Sequence, residues 1–303
     1  MDVELSYTFL SLIVYHAMKD ELINAIANLI ADAVINLPKD VEEALRKAME
    51  SEDGIAKTQL EAVLKNVELA RQQKKPMCQD TGTPTFFIRI GVDFPYRHVL
   101  KEAILEGVRK ATKEVPLRPN AVDVLTGKNS GDNTGIYIPI IHWEIVGGSD
   151  CIITAMPKGG GSENMSTLQM LKPGVGLKGV KKFVLEWMVE AAGNPCPPTV
   201  VGVGIGGGAD VAMELAKKAL LRKIGGRHEK QEIAKMEEEL LEAINSTGIG
   251  AMGLGGKITV LDVHIEVAHR HPASLPVAIA VQCWANRRKS IRIDKEGKIW
   301  NID

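Results

Sequence analysis

The sequence predicts an α+β protein, in which a helical N-terminal part is followed by mixed β-sheets packed against helices. The 303 residues are 45% hydrophobic and 25% charged, which is typical of a globular chain that buries a sizeable core. Apolar residues recur at helical spacing up to about Gln73, whereas short β-branched stretches alternate with helical ones from Met77 onward. No linker separates the two parts. We therefore expect one domain over residues 1–303, of which 1–75 is largely helical and 76–303 is mixed α/β.

The N-terminal part contains three predicted helices. The first begins at about residue 19, because apolar residues recur there at three- and four-residue spacing. Pro38 interrupts this pattern, and Asp40 is a candidate N-cap for a second helix that runs through Ala48. A third amphipathic helix is expected from about Ile55. Nothing in these helices suggests chemistry.

The rest of the chain alternates between strand and helix patterns. Runs of β-branched and aromatic residues predict strands, and amphipathic runs between them predict helices. The expected strands cover about 85–90, 136–146, 151–156, 199–205, 258–268 and 275–285. The expected helices cover about 99–112, 180–192, 210–223 and 228–245, and residues 291–303 are expected to form a short strand or a tail.

The charge balance and the N-terminus exclude several classes of protein. There are 37 Lys and Arg residues against 38 Asp and Glu residues, so binding to nucleic acid through bulk positive charge is excluded. The N-terminus is acidic where a secretory signal would be basic, and the apolar stretch Leu5–Met18 is too short to span a bilayer. No other segment is expected to reach spanning length. We expect a cytoplasmic protein that binds neither nucleic acid nor a membrane.

Four cysteines are spread through the chain, and no two of them form a C-x-x-C pair. Cys151 opens an apolar run and is expected to be a small core residue. The other three lie in turn-rich segments: Cys78 lies before a strand, Cys196 has prolines on both sides, and Cys283 precedes two arginines that favour a thiolate. Four buried thiols are the simplest interpretation. One reactive thiol or a metal site stays open, and three thiolates from distant loops suit an iron–sulfur cluster with one iron free of protein ligands.

Two glycine-rich segments are candidate ligand loops. Residues 158–164 follow a predicted strand and read Lys-Gly-Gly-Gly-Ser-Glu-Asn, where free backbone N–H groups would bind an anion; a flexible loop is the alternative. Residues 202–208 match G-x-G-x-x-G, which alone is a weak signature of a dinucleotide site. The helix that follows leads to a polar segment and not to a second strand ending in an acidic residue. A nicotinamide site is therefore the less favoured interpretation.

Two further features are ambiguous. Residues 127–135 are rich in turn residues, and we interpret them as a polar loop between strands. Three histidines lie close together in sequence, at His264, His269 and His271, and a metal site is one interpretation. Pro272 interrupts the strand there, so contact between one histidine and a substrate is at least as plausible.

Several of these segments occur together, and in this order, in one family. They are Pro-Met-Cys-Gln-Asp-Thr-Gly-Thr at 76–83, Gly-Asp-Asn-Thr-Gly at 131–135, Lys-Gly-Gly-Gly-Ser-Glu-Asn at 158–164, Cys-Pro-Pro at 196–198, Gly-Ile-Gly-Gly-Gly at 204–208 and Gln-Cys-Trp-Ala at 282–285. Their combination resembles the class I (iron–sulfur) fumarate hydratase and L-tartrate dehydratase family. The resemblance covers about residues 22–288, which is most of the chain.

The resemblance implies a [4Fe-4S] cluster on Cys78, Cys196 and Cys283. Its fourth iron is open and acts as a Lewis acid on the substrate hydroxyl and one carboxylate. Cys151 matches no ligand of the family. Some relatives carry another cysteine in the region where Asn286 stands here, and that position is not an expected ligand.

The resemblance also implies a substrate site. A base removes the proton from the carbon next to the leaving hydroxyl, and Asp80 is placed to take part in that transfer or to orient the base. The expected catalytic residues are Gln79, Asp80 and His271. The expected substrate-binding residues are Gln79, Asp80, Arg118, Gly160, Gly161 and His271.

Single-chain members of this family are longer and carry a second, C-terminal domain, so this chain is expected to be the alpha subunit of a two-subunit enzyme. A beta subunit would supply further substrate-binding residues, and the alpha/beta units are expected to dimerise. The implied reaction is the reversible hydration of fumarate to (S)-malate, with a small dicarboxylic acid as substrate. The alternatives are an L-tartrate dehydratase alpha subunit, a nicotinamide-dependent oxidoreductase that uses residues 202–208, and a noncatalytic assembly subunit.

Overall fold

The computed structural model describes the backbone of residues 2–302 and the side chains of residues 18–302. Helices and two mixed sheets make up the chain, which confirms the α+β prediction. The chain divides into two compact units: unit 1 comprises Met1–Asn36, Gln73–Pro157 and Arg287–Asp303, and unit 2 comprises Leu37–Gln72 and Lys158–Asn286. Each unit draws on both the N-terminal helices and the later mixed part. The expectation of a single domain stays a prediction.

Helices and strands follow one another along the whole described chain. The helices are α1 (Asp2–Ile35), α2 (Lys39–Ser51), α3 (Gly54–Gln73), α4 (Arg97–Glu114), α5 (Gly160–Glu163), α6 (Gly176–Ala191), α7 (Ala209–Ala219) and α8 (Gln231–Asn245). The strands are β1 (Thr85–Gly91), β2 (Ile140–Val146), β3 (Cys151–Ala155), β4 (Thr167–Leu171), β5 (Thr199–Gly207), β6 (Val260–Arg270), β7 (Leu275–Gln282), β8 (Lys289–Ile293) and β9 (Ile299–Asn301). Short 3-10 helices lie at Pro173–Val175 and Ala251–Gly253.

Unit 1 is built on a five-stranded sheet with the strand order β2-β1-β3-β8-β9. Strand β1 runs parallel to β2 and antiparallel to β3, so both of its edges are paired. Helices α1 and α4 pack closely because Gly107 of α4 leaves room for Ile26, whose Cγ2 would lie only 2.7 Å from an added Cβ. Their apolar faces join Phe86 and Ile88 of β1 in one buried core. This core fixes the start of β1 and therefore the loop that leads into it.

Unit 2 is built on a four-stranded sheet with the strand order β4-β7-β5-β6. Strand β5 runs parallel to β6 and antiparallel to β7. On one face, α7 lies against β5 because Gly202 and Gly204 carry no side chain; a Cβ at Gly202 would overlap the carbonyl oxygen of Ala216 in α7. On the other face, the alternate residues Val201 and Val203 pack against α6 and α8 in a second core.

The predicted helices form, but their ends differ from the expectation. Helix α1 begins at Asp2 and not at about residue 19. Pro38, and not Asp40, is the N-cap of α2, so the prediction for Asp40 is wrong. The Asp40 carboxylate instead accepts a hydrogen bond from the backbone N–H of Ile224 at 2.9 Å. A carboxylate in the first turn of α2 thus connects this helix to the loop after α7.

Two predicted strands are shorter than expected, and some elements are missed. The strand expected from residue 136 begins at Ile140, because Tyr137 adopts a left-handed backbone with φ of 58°. The strand expected to reach residue 285 ends at Gln282. Strand β4 has 5 residues and helix α5 has 4, and the sequence analysis predicted neither of them. The short strand expected within residues 291–303 is present as β9.

Among the residues that the structure describes, the stretch Met18–Ser51 is long and apolar enough by length and composition to cross a membrane, with a mean hydropathy of 1.2 over an 18-residue window. The expectation that no segment besides Leu5–Met18 approaches such a span is therefore wrong. Half of that window is buried within the protein, and Pro38 separates α1 from α2 inside the stretch. Leu22 and Ile26 belong to the core of unit 1. Buried helices of globular proteins pass the same test of length and composition.

Candidate active site

The loop that carries Cys78 lies in unit 1, directly before β1. Its backbone is anchored by Met77, whose N–H donates to a carbonyl oxygen near the end of α1 at 3.0 Å. Asp80 forms a tight turn, since its Oδ1 accepts the N–H of Gly82 at 3.0 Å. Cys78 and Asp80 are half-buried, and Gln79 is exposed. Three residues that the sequence singles out therefore share one short, anchored turn.

Arg118 is held beside this turn by Thr81. The Thr81 Oγ1 accepts the backbone N–H of Arg118 at 3.1 Å and donates to the Arg118 carbonyl oxygen at 3.4 Å. The side chain of Arg118 is exposed. Unit 1 thus brings the backbone of Arg118 next to the turn that contains Gln79 and Asp80.

Asn133 belongs to this arrangement, although sequence reasoning did not assign it a role. It lies in the turn-rich segment 127–135, is 1% exposed and has a left-handed φ of 59°. Its Nδ2 donates to the carbonyl oxygen of Arg118 at 3.2 Å and to Thr112 Oγ1 at 3.1 Å, while its Oδ1 accepts the N–H of Asn120 at 2.6 Å. The segment is therefore a brace for Arg118 and not only a polar loop. The Gly-Asp-Asn-Thr-Gly motif was the available signal.

Arg287 also supports the turn of unit 1. Its side chain is 1% exposed, and its Nη1 donates to the carbonyl oxygen of Asp80 at 2.9 Å. The sequence predicts that the arginines after Cys283 favour a thiolate. The contact that the structure describes for Arg287 is with the backbone of Asp80, so this guanidinium fixes the path of the turn.

Cys196 and Cys283 lie at the same end of the sheet in unit 2. Cys196 precedes β5 and Cys283 follows β7. These two strands are antiparallel, with Val200 opposite Gln282. The backbone N–H of Trp284 donates to the carbonyl oxygen of Cys196 at 3.2 Å. Two cysteines that are far apart in sequence are thus brought onto neighbouring loops.

The cysteines differ in their surroundings. Cys196 is exposed and has a left-handed φ of 56° between two prolines, and Cys283 is half-buried. Cys151 is fully buried in β3, and burial raises the pKa of its thiol to about 12. The prediction that Cys151 is a core residue is confirmed.

The glycine turn that contains Gly160 and Gly161 lies at the cysteine end of unit 2. Helix α5, which the turn opens, packs against β7, the strand that leads to Cys283. A Cβ on Gly161 would lie 3.9 Å from the carbonyl oxygen of Asn194, so the turn also adjoins the loop of Cys196. The structure therefore brings the two expected glycines together with both cysteines of unit 2.

Lys158 and Lys217 flank a single carboxylate at this turn, that of Glu163. The side chain of Lys158 is 3% exposed, and its Nζ lies 3.5 Å from Glu163 Oε2 and donates to Ser162 Oγ at 2.8 Å. Lys217 Nζ donates to Glu163 Oε1 at 2.6 Å, and its side chain is 13% exposed. We call Lys158, Glu163 and Lys217 the lysine–glutamate network.

Burial and the neighbouring opposite charges shift the pKa values of Lys158 and Glu163 in opposite directions. Burial lowers the pKa of the Lys158 ammonium to about 8, although the negative charges of Glu163 and Cys283 raise it. Burial raises the pKa of the Glu163 carboxyl, but the hydrogen bond from Lys217 and the charge of Lys158 outweigh it, so that pKa lies below its ordinary value. Lys158 is a second residue to which sequence reasoning gave no role, because a lysine is usually exposed.

His271 lies at the opposite end of the same sheet. It is in the connection between β6, which ends at Arg270, and β7, which begins at Leu275. The 8 residues of β7 at about 3.3 Å each place roughly 25 Å of strand between this connection and Cys283. His271 is exposed, and its Nδ1 accepts the N–H of Ala273 at 3.1 Å. Within one chain, the structure does not bring His271 to the cysteine end, because β7 crosses the whole sheet.

The three histidines do not form a metal site. His264 is buried, with its Nε2 at 3.0 Å from Asp262 Oδ2, whereas His269 and His271 are exposed. Across the described part of the chain, no group of three or more His, Cys, Asp or Glu side chains could hold a metal ion. An iron–sulfur cluster binds its cysteines through separate irons, so the expected cysteine set stays a prediction.

The glycines of residues 202–208 have structural roles. Gly202 and Gly204 let α7 approach β5, and Gly206 has a left-handed φ of 98° where a Cβ would overlap the carbonyl oxygen of Ala268. Close packing and a turn thus account for the motif. The G-x-G-x-x-G match at residues 202–208 therefore no longer supports a nicotinamide site.

Each unit carries candidate catalytic residues on loops. In unit 1 the anchored Gln79–Asp80 turn leads into β1, and in unit 2 Cys196, Cys283 and the glycine turn lie at one end of the sheet. A family profile described as fumarate hydratase (Fumerase) matches residues 23–292. The chain belongs to this family, and it is a hydro-lyase. The expected family resemblance is confirmed.

Individual relatives match over nearly their whole length. A protein of Methanocaldococcus jannaschii, provisionally named L(+)-tartrate dehydratase subunit alpha, is 53% identical over 281 residues, which is 91% of this chain and 99% of the relative. The L(+)-tartrate dehydratase subunit alpha of Escherichia coli strain UTI89 is 38% identical over 285 residues, which is 93% of this chain and 94% of the relative. The subunit of the same name from strain K12 is 37% identical with the same coverage.

Proposed function

We propose that the chain is the alpha subunit of an iron–sulfur hydro-lyase that hydrates fumarate reversibly to (S)-malate. The observation that carries this proposal is the meeting of Cys196, Cys283 and the glycine turn at one end of the unit 2 sheet. Loops held at the ends of rigid strands are a usual place for catalytic groups. The description of the matching family supports the type of reaction.

We assign a [4Fe-4S] cluster to Cys78, Cys196 and Cys283. The donor set suits this group, because thiolates are its usual ligands and these three cysteines lie in irregular loops. When bound, the cluster supplies an open iron as a Lewis acid for the substrate hydroxyl and carboxylate.

Two buried amides beside Cys283 also fit a bound group. Asn286 is fully buried, and among the described residues neither polar atom of its side chain has a hydrogen-bond partner. The Oε1 of the buried Gln282 lacks a partner in the same part of the structure. Buried polar groups without partners are costly. A sulfur of the cluster would accept a hydrogen bond from Asn286 Nδ2, whereas the two amide oxygens would need a donor, such as the substrate hydroxyl or a water molecule.

The chain's own residues bind the substrate and move its proton in this proposal. Arg118 would pair with one carboxylate, and the backbone N–H groups of Gly160 and Gly161 would bind the other. Gln79 would add a side-chain donor. The carboxylate of Asp80, fixed in its turn, would accept or orient the proton of the carbon next to the hydroxyl.

His271 is assigned to substrate binding and catalysis by the family resemblance alone. The sheet of unit 2 gives this assignment no support within one chain, since β7 separates His271 from Cys283. We retain it as a proposal that a variant can test.

We propose a beta subunit as the partner of this chain. The names of the relatives designate alpha subunits. In this proposal the beta subunit supplies further residues for a small dicarboxylic acid, the alpha/beta units dimerise, and the enzyme is cytoplasmic.

Dehydration of L-tartrate is the second candidate function, and the names of the relatives favour it. Malate and tartrate both carry two carboxylates; malate has a hydroxyl next to one of them, and tartrate has a hydroxyl next to each. The same Lewis acid and the same base therefore serve either substrate.

The test combines metal analysis with activity. The alpha/beta complex is purified without oxygen, its iron and sulfide are measured, and fumarate, malate and both tartrate isomers are assayed. Cys78→Ser, Cys196→Ser and Cys283→Ser are each expected to lose iron, whereas Cys151→Ser serves as the matched control and keeps it. Full iron content in any of the first three variants contradicts the ligand assignment. Turnover of a tartrate isomer without turnover of fumarate selects the second candidate.

A further inference from the structure

The lysine–glutamate network carries an excess of positive charge. Its two ammonium groups, on Lys158 and Lys217, share the carboxylate of Glu163. Their side chains are 3% and 13% exposed, so water screens this charge poorly. A buried excess charge is stable only if an anion compensates it.

The position of the network indicates that the compensating anion is the thiolate-bound cluster held at Cys283. Glu163 belongs to α5, which packs against β7, and Cys283 is the residue directly after β7. The attraction between Lys158 and Cys283 is one of the effects that raise the pKa of Lys158 against its burial. The excess charge therefore faces the end of the sheet where we have placed two ligands of the cluster.

We propose that the excess positive charge of the lysine–glutamate network raises the reduction potential of the iron–sulfur cluster held at Cys283, an inference that rests on the cluster proposed above. One-electron reduction adds a negative charge at the cluster, and a nearby buried cation stabilises that charge. The same cation disfavours the loss of an electron. The network would thus protect an iron that is left open for substrate from oxidation.

The test is a redox titration of the iron-loaded alpha/beta complex with dithionite, in which the reduced cluster is followed by electron paramagnetic resonance. Lys158→Met removes one positive charge and is expected to lower the potential, whereas Lys158→Arg keeps the charge and stays near the wild-type value. Glu163→Gln removes the negative charge and is expected to raise the potential. Lys218→Met, at the exposed neighbour of Lys217 on α7, is the matched control and is expected to cause no shift.

The decisive readout is that the reduction potential shifts in opposite directions in Lys158→Met and Glu163→Gln. A structural disturbance would move Lys158→Met and Glu163→Gln in the same direction, and that result, or equal potentials in all variants, overturns the inference. If Lys158→Met does not assemble, Lys217→Met removes a charge from the same network and is expected to lower the potential by a smaller amount. A wild-type complex without iron and sulfide contradicts the proposed function instead, so the two failures are distinguishable.

Discussion

The backbone N–H of Trp284 donates a hydrogen bond to the carbonyl oxygen of Cys196 at 3.2 Å. This bond connects the loop after β7 to the loop before β5 and holds Cys196 near Cys283. Because it joins main-chain atoms, it depends on the paths of both loops and not on a side chain. Two of the proposed ligands are therefore positioned by the unit 2 sheet before any cofactor binds.

Thiol reactivity is expected to differ between Cys196 and Cys151. In the metal-free full chain, iodoacetamide at about pH 8 should modify the exposed Cys196 readily and leave Cys151 unmodified, because burial raises the pKa of the Cys151 thiol to about 12. Peptide mass spectrometry measures the two extents. In urea both should react, which controls for intrinsic reactivity, and rapid modification of Cys151 in the folded chain would contradict the prediction.

Asn133→Gly is expected to weaken substrate binding. Glycine tolerates the left-handed backbone at this position, so the variant removes mainly the hydrogen bonds that brace Arg118. Losing them should raise KM by about 10-fold with a smaller change in kcat, as for about 1.4 kcal/mol of lost positioning. Steady-state kinetics of the alpha/beta complex give both constants. The exposed Asn301→Gly is the control, and an unchanged KM in Asn133→Gly would refute the role of the brace.

Gly202→Ala is expected to destabilise the chain by about 1–3 kcal/mol, because the new Cβ would overlap the carbonyl oxygen of Ala216 and force α7 away from β5. Urea unfolding followed by circular dichroism measures the free energy. Gly174→Ala is the matched control, since no atom lies within 4 Å of a Cβ there. Equal stabilities of the two variants would show that the glycine is not needed for helix packing.

Asp262 is expected to make unfolding depend on pH in the acid range. Burial raises the pKa of its carboxyl, but the bonds to His264, the Gly225 N–H and Arg227 outweigh burial, so the pKa lies below the ordinary 3.8. The unfolded chain therefore takes up the proton first. The stabilisation is complete above the ordinary pKa and is lost as pH falls through the lower, folded-state pKa.

Asp262→Asn tests this dependence. The free energy of unfolding, measured in urea from about pH 6 to about pH 2.5, should fall less steeply with acid than in the wild type. Near neutral pH the variant should be less stable by about 3 kcal/mol, since it leaves buried partners without their anion. The control is Asp93→Asn, which changes an exposed carboxylate and should keep the wild-type dependence of the unfolding free energy on pH. If Asp262→Asn also kept that dependence, the Asp262 carboxylate would not be its source.

His271→Ala is expected to leave the iron and sulfide content of the complex unchanged, because β7 separates His271 from Cys283. Metal analysis checks this, with Cys283→Ser as the variant that should lose iron. Loss of iron in His271→Ala would mean that the histidine reaches the cluster. A change in KM or kcat at full iron content would instead support the role implied by the family.

Local patterns predicted much of this fold, because the hydrophobic periodicity of a helix or strand is contained in the residues of that element. The apolar run that begins at Cys151 identified both a strand and a core thiol, and the residues around Cys196 marked an irregular loop. Contacts between distant segments could not be predicted in this way. The brace from Asn133 to Arg118 and the burial of Lys158 both depend on tertiary packing that no local pattern contains.

The place of His271 in the sheet could not be predicted from local patterns. Its role was implied by the family resemblance and stays a prediction, while its distance from Cys283 follows from the strand between them, because an extended strand separates residues by about 3.3 Å each. The intervening residues form β7, so sequence distance becomes length across the sheet. A turn between the two residues would have given the opposite result.

The passage of the chain back and forth between the two units has a consequence for its biosynthesis. Strands β8 and β9 come from Arg287–Asp303, yet they complete the sheet that β1 to β3 begin. A ribosome must therefore synthesise nearly the whole polypeptide before β3 can acquire its neighbour β8. Neither unit corresponds to a contiguous gene fragment, and a deletion made to isolate one of them would remove strands or helices from the other.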